Sequence, residues 1–150
     1  MTNQKTKKAI MTMGLPGSGK SYTLNNNYDT TGFVMIDPDE IKKEQPLYSD
    51  DNPTVYHNWS KKEARFRIET AIYNDQDLII DGTGTNSDKM IKQIIELQSQ
   101  GYEVEVLYVK VKLQTAIKRN NERARTVPQE IVLSKYAVIE TSYQLIKAVA

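Results

Sequence analysis

Short, dense apolar runs alternate along this chain with longer stretches in which apolar residues recur every three or four positions. Ala9-Ile10-Met11-Thr12-Met13, Gly32-Phe33-Val34-Met35-Ile36, Asp77-Leu78-Ile79-Ile80-Asp81 and Val104 to Val111 have the length and composition of buried strands. Helical spacing fills the gaps. Ser21 to Asn27 can start a helix after the first strand, and a short one carries Ile41 and Lys42 after the second. Ser60 with Glu63 reads as a capping box opening a helix whose Ala64, Ile68, Ala71 and Ile72 share a face. From about Ser87 a helix turns Met90, Ile91, Ile94, Ile95 and Leu97 inward and stops at Gly101. A basic helix starts near Thr115, and past Val127-Pro128 a last helix carries Ile131, Val132, Tyr136, Ile139, Tyr143 and Ile146. Strands separated by helices of this length predict an α/β fold: a parallel sheet of about four to five strands, covered by helices, with ligands at the strand C-terminal ends.

Composition narrows the class. A chain of 150 residues is long enough for one core, so 1–150 reads as a single domain. It has no cysteine, which removes disulfides and thiolate chemistry. Twenty basic against nineteen acidic residues leave a net charge of +1, too little to coat nucleic acid through bulk charge, although a local basic site is compatible with it. No apolar run approaches the ~20 residues of a membrane span, and Thr2 to Lys8 lacks the apolar core of a secretory signal. The expectation is a soluble cytoplasmic protein without a membrane partner. Pro46 to Pro53 is the most loop-like stretch, and no repeat is visible.

The junction after the first strand carries the strongest chemistry. Gly14-Leu15-Pro16-Gly17-Ser18-Gly19-Lys20-Ser21 matches every fixed position of the phosphate-loop pattern G-x-x-x-x-G-K-[ST], placed between a strand and a helix as that pattern requires. Glycines let successive N–H groups turn toward phosphate oxygens, and the following helix adds its positive end. Gly14, Pro16, Gly17, Ser18, Gly19, Lys20 and Ser21 are therefore expected to hold ATP or another nucleoside triphosphate. Lys20 reaches the β- and γ-phosphates, and Ser21 ligates Mg²⁺. Asp81 ends an apolar strand, where a carboxylate can hold Mg²⁺ or its waters, and Gly82-Thr83-Gly84-Thr85 after it permits close approach to a ligand.

Phosphoryl transfer also needs a carboxylate to take the acceptor's proton, and Asp37 and Asp39 stand at the end of the second strand for that role. One of the two can instead cap the helix that follows. Arg119 and Arg123 lie four apart on one helical face, where a closing lid brings guanidinium groups onto the transferring phosphate. His57 has no partner for a zinc site, so packing or a surface hydrogen bond explains it better than catalysis. Trp59, Tyr48 and Tyr56 are equally readable as core anchors or as stacking platforms.

Together Gly14 to Ser21, Ile36-Asp37-Pro38-Asp39-Glu40-Ile41-Lys42, Asp81-Gly82-Thr83 and Arg119-Asn120-Asn121-Glu122-Arg123 followed by Val127-Pro128 resemble small P-loop kinases of the polynucleotide 5′-hydroxyl kinase and zeta-toxin group. The lid is most similar to phage-type polynucleotide kinases. The middle, with Ile36-Asp37-x-Asp39, the His57/Ser60 pair and Asp81-Gly82-Thr83-Gly84, is closer to zeta-type kinases. The resemblance implies a P-loop kinase fold with an arginine-containing lid, Asp39 as general base, Arg123 as lid arginine and Arg119 beside the nucleotide. Asp37, Lys42, Thr83 and Arg125 fall on the acceptor side. Lys42 stands where the polynucleotide kinases have an arginine and so lacks a bidentate fork. The segment from Arg123 to Val127 is about one residue shorter than theirs. The implied activity is transfer of the γ-phosphate of ATP to a hydroxyl, first of all a nucleic-acid 5′ end, with a nucleotide-sugar or other small nucleotide-containing acceptor as the alternative. A nucleotide-binding switch is the competing class, but no N-K-x-D guanine-selecting segment is present. An oligomer or an antitoxin partner is left open by the sequence.

Overall fold

The computed structural model of the chain describes residues 6–15, 18–49, 51, 55–122 and 128–150. Its elements run β1 (Lys7–Met13), α1 (Lys20–Asn27), β2 (Val34–Ile36), α2 (Pro38–Lys42), α3 (His57–Tyr73), β3 (Leu78–Ile80), α4 (Ser87–Ser99), β4 (Tyr102–Tyr108), α5 (Leu113–Asn121) and α6 (Gln129–Lys147). The described strands form one parallel sheet in the order β2-β3-β1-β4. Strand alternation divides the core between the two faces. Met11, Met13, Ile36 and Ile80 pack with Ile68 of α3, Ile94 and Leu97 of α4, and Val132, Ile139 and Ile146 of α6. On the other face Ile10 and Ile79 meet Leu24 of α1. The architecture is the α/β arrangement of P-loop kinases.

Register decides what the strand ends bring together. Ile36 pairs with Ile80, and Ile80 with Met11, so Asp37 and Asp81 leave adjacent strands side by side, next to Thr12 and the start of the phosphate loop. β4 pairs along all of β1, Lys7 with Tyr102 through Met13 with Tyr108. It therefore starts at Tyr102, directly after Gly101 at φ 88°, rather than at Val104. It ends at Tyr108 because β1 ends at Met13, with one last Val109 N–H bonded to the Met13 carbonyl at 2.9 Å.

Three helical expectations are corrected. Ser60 caps nothing: α3 begins three residues earlier, behind Tyr56 in the left-handed region at φ 69°. Buried on the face of Ala64, Ile68 and Ala71, Ser60 donates its hydroxyl to the His57 carbonyl at 2.9 Å, and Glu63 accepts from Arg67 Nε at 3.1 Å instead. On α4 the buried stripe is Met90, Ile94 and Leu97, and Ile95 lies one step around the helix and is 52% exposed. On α6 the same geometry leaves Ile131 and Tyr136 outside while Val132, Ile139 and Ile146 are buried.

Candidate active site

The phosphate loop begins where β1 leaves the sheet. Gly14 is obligatory by contact: a Cβ there would stand 2.5 Å from Ser18 Oγ and 2.8 Å from Lys20 Cγ. Gly19, at φ 87°, turns the chain into α1. Leu15 accepts from the Ser18 N–H at 3.0 Å, closing the loop on itself, and Pro16 and Gly17 lie outside the described residues. Ser18 is 3% exposed, and its Oγ has no hydrogen-bond partner among the described residues. A buried hydroxyl of that kind normally has a partner, and a phosphate oxygen is the one this loop suits. Ser21 sits exposed in the first turn of α1.

Lys20 lies across the mouth of the loop. Its Nζ donates to the Gly82 carbonyl at 3.1 Å and stands 3.9 Å from Asp81 Oδ2. Asp81 is itself held: Thr12, 2% exposed, donates its hydroxyl to Asp81 Oδ1 at 2.7 Å and accepts from the Gly82 N–H at 3.2 Å. Gly14 N–H donates to the Thr83 carbonyl at 3.0 Å, tying the loop after β3 to the phosphate loop. Among the described residues no group of three or more acidic or histidine side chains converges on a metal position. Mg²⁺ beside a nucleotide needs none, because phosphate oxygens and waters complete its shell around one or two protein ligands. The Ser21 hydroxyl and the Asp81 carboxylate are the groups that suit it.

The two aspartates after β2 have different surroundings. Asp37 is the cap of α2, its Oδ1 accepting from the Asp39 N–H at 3.0 Å. Burial first, then the charges of Asp81 and Asp39, push its carboxyl up to about 6. Asp39 points outward, about half exposed, 3.5 Å from the Nζ of Lys42, whose side chain is almost fully buried. Arg119, at the end of α5, reaches back to the phosphate loop and donates to the Ser18 carbonyl at 3.3 Å. Arg123 and Arg125 lie outside the described residues.

A cleft of about 890 Å³ opens from this centre between α3 and α4. Met11, Ile36, Ala64, Ile68, Ile80 and Met90 give it an apolar floor, and Asp81 to Asn86, Thr83 included, form its near wall. The lining also carries His57 and Lys61 from α3, Lys89 and Lys92 from α4, and Lys135 from α6. Partial burial and the charges of Lys42 and Lys61 hold the His57 imidazole below its ordinary range, against the opposing charge of Asp39. At the far end Arg65 spans the two helices, forking onto both oxygens of Glu96 and donating Nε to Glu69 at 2.9 Å. Sequence reading misses Thr12 and these lysines. The available signals were a polar residue inside an apolar strand, and the spacing of His57 with Lys61 and of Lys89 with Lys92.

The chain is 30% identical over 115 residues to the toxin zeta of Enterococcus hirae, an alignment covering 69% of this chain and 39% of that protein. It is 23% identical over 137 residues to an L-seryl-tRNA(Sec) kinase of Methanococcus maripaludis, covering 88% and 52%. It therefore spans about half or less of the length of these relatives. A chain of the solved Pnkp1/Rnl/Hen1 RNA repair complex superposes with a TM-score of 0.73 at 16% identity, covering 95% of this chain and 47% of that one, which shows the shared fold. The zeta toxin family profile matches residues 1–148, and the chain belongs to that family.

Proposed function

We propose that this chain is an ATP-dependent kinase that transfers the γ-phosphate to a hydroxyl of a phosphate-bearing acceptor of about nucleotide size. One observation carries the reading: a phosphate loop and a lysine-lined cleft with an apolar floor meet at Asp81 to Thr83. The loop supplies the donor half. The cleft has the volume of a small-molecule site, and its floor suits a ring while the lysines suit phosphate. A switch protein has no need of such a second site.

In the proposed reaction Asp39 accepts the proton of the acceptor hydroxyl as its oxygen attacks the γ-phosphorus. The bond to the bridging oxygen breaks and ADP leaves. Lys20 moves from Gly82 and Asp81 onto the β- and γ-phosphates, and Arg119 stands at the loop backbone beside them. Arg123 is assigned to transition-state charge by its place in the lid segment. Ser21 and Asp81 would hold Mg²⁺, which would supply charge neutralisation at the phosphates.

The second reading, a polynucleotide 5′ end, draws on the likeness of the lid segment to polynucleotide kinases. The Arg65–Glu96 bridge favours the compact acceptor, because it ties α3 to α4 where both residues line the cleft. The test is γ-labelled ATP and Mg²⁺ with 5′-hydroxyl DNA and RNA oligomers, nucleoside monophosphates and nucleotide-sugars. The compact reading expects label on nucleotide-sized acceptors, with Lys61→Ala/Lys89→Ala raising their KM about tenfold through lost charge-assisted bonds. Faster labelling of oligomers than of any mononucleotide would replace it with the second reading.

A further inference from the structure

The segment from Asp81 to Thr85 carries the metal-side carboxylate and the near wall of the acceptor cleft. Its first residues are anchored from the phosphate-loop side, through Thr12, Lys20 and the Gly14–Thr83 bond. Its far end is anchored from another element. Ser142 of α6, 4% exposed, donates its hydroxyl to the Gly84 carbonyl.

That use of a helical serine is unusual among the described residues. A hydroxyl in a helix ordinarily bonds back to its own preceding turn. Ser60 does so onto His57, Thr70 onto Phe66 and Ser99 onto Glu96. Ser142 instead reaches out of its helix, across 58 residues of sequence, to a loop that the chemistry uses. The acceptor residue is equally constrained. Gly84 stands at φ 84°, and a Cβ there would come within 2.6 Å of Met13 Cγ, so the loop is pressed against the end of β1. Two turns before Ser142 on the same face of α6, Lys135 lines the acceptor cleft.

We propose that Ser142 is a positioning residue for phosphoryl transfer, fixing the Asp81–Gly84 loop through the Gly84 carbonyl so that Asp81 faces the Mg²⁺ position and Thr83 stays bonded to Gly14. The proposal rests on the kinase reading above. Ser142 touches neither nucleotide nor acceptor; it acts through the loop. With the far end released, the segment keeps its ties to Thr12, Lys20, Gly14 and the Ile36 carbonyl and loses the one that reaches it from α6. Small displacements of its carboxylate are expensive in rate, and partners that orient metal ligands are typically worth tenfold or more.

The experiment compares Ser142→Ala, Ser142→Thr and Ile146→Val. Ile146 is fully buried one turn further along α6, so its trimming weakens the packing of the helix without touching Gly84. Three quantities are read: amide hydrogen exchange of residues 82–85 in the nucleotide-free protein, the Mg²⁺ midpoint for binding a fluorescent ATP analogue, and turnover of γ-phosphate transfer. Ser142→Ala should speed exchange in 82–85, raise the Mg²⁺ midpoint and lower turnover, each of the last two by about tenfold. Affinity for the analogue without Mg²⁺ should be unchanged. Ser142→Thr, which keeps the hydroxyl, should restore all three, and Ile146→Val should lower thermal stability alone. The proposal is overturned if Ser142→Ala leaves exchange and the Mg²⁺ midpoint at wild-type values, or if Ile146→Val reproduces its effects. Should threonine fail to fold, the alanine and valine comparison still decides. Failure of the wild type to bind the analogue would defeat the kinase reading instead, while the exchange measurement would still report on the Ser142–Gly84 tie.

Discussion

Asp37 should make the nucleotide-free protein less stable than it would be without that charge. Parallel pairing of Ile36 with Ile80 sets Asp37 beside Asp81, and the cap geometry brings Asp39 close as well. Burial and these two carboxylates raise Asp37 from an ordinary 3.8 to about 6. A displacement of about two pH units is worth about 3 kcal/mol as an upper bound. Solvent reaching a partly buried group roughly halves that, leaving a net cost of about 1–1.5 kcal/mol, with the favourable Asp39 and Glu40 N–H bonds at the start of α2 already contained in the displacement. The sign follows from proton binding. The folded state holds the proton more tightly, so the cost is absent below about pH 4, grows as pH rises through 6, and is complete above it. Asp37→Asn removes the charge, and asparagine caps a helix as well as aspartate. Thermal denaturation of both proteins from pH 4 to pH 8 should show equal midpoints at pH 4 and an asparagine midpoint about 2–4 °C higher at pH 8. A variant less stable at pH 8, or a difference that does not change with pH, would refute the reasoning.

Asp81→Asn should raise the Mg²⁺ concentration needed for half-maximal transfer by about tenfold while ATP binding without metal is kept, since the amide preserves the Thr12 bond and loses the charge; a Mg²⁺ titration that superposes on wild type would make Asp81 structural alone. Gly84→Ala should cost about 2–4 kcal/mol in urea denaturation, from a left-handed backbone and the overlap with Met13; a loss under 1 kcal/mol would mean the loop relaxes freely.

The parts of this molecule that depend on short stretches of chain were readable in advance. The phosphate loop needs Gly14, Gly19, Lys20 and Ser21 within eight residues, and strand–helix alternation shows in apolar spacing. Contacts between distant segments were not readable. Thr12 looks like a gap in an apolar strand until register brings it to Asp81, 69 residues on. Lys61, Lys89 and Lys92 look like ordinary surface charge until α3 and α4 lie side by side over one cleft. Ser60 was misread because a capping box depends on where the helix starts, and the left-handed Tyr56 moves that start back a turn. Asp37 and Asp39 were ambiguous for the same reason: only the Asp39 N–H, bonded to Asp37, separates the cap from the outward-facing carboxylate.

The central claim is that a donor half, built on the phosphate loop, serves an acceptor half built on Asp39. The direct measurement is γ-phosphate transfer by wild type, Lys20→Ala and Asp39→Asn to the best acceptor of the panel, with binding of a fluorescent ATP analogue followed in the same samples. Lys20→Ala should lose transfer and weaken analogue binding. Asp39→Asn should bind the analogue with Mg²⁺ as wild type does while transfer falls by about a hundredfold or more. Transfer by Asp39→Asn at the wild-type rate would remove the base from the account, and wild-type protein that binds the analogue yet labels no acceptor would contradict the kinase itself.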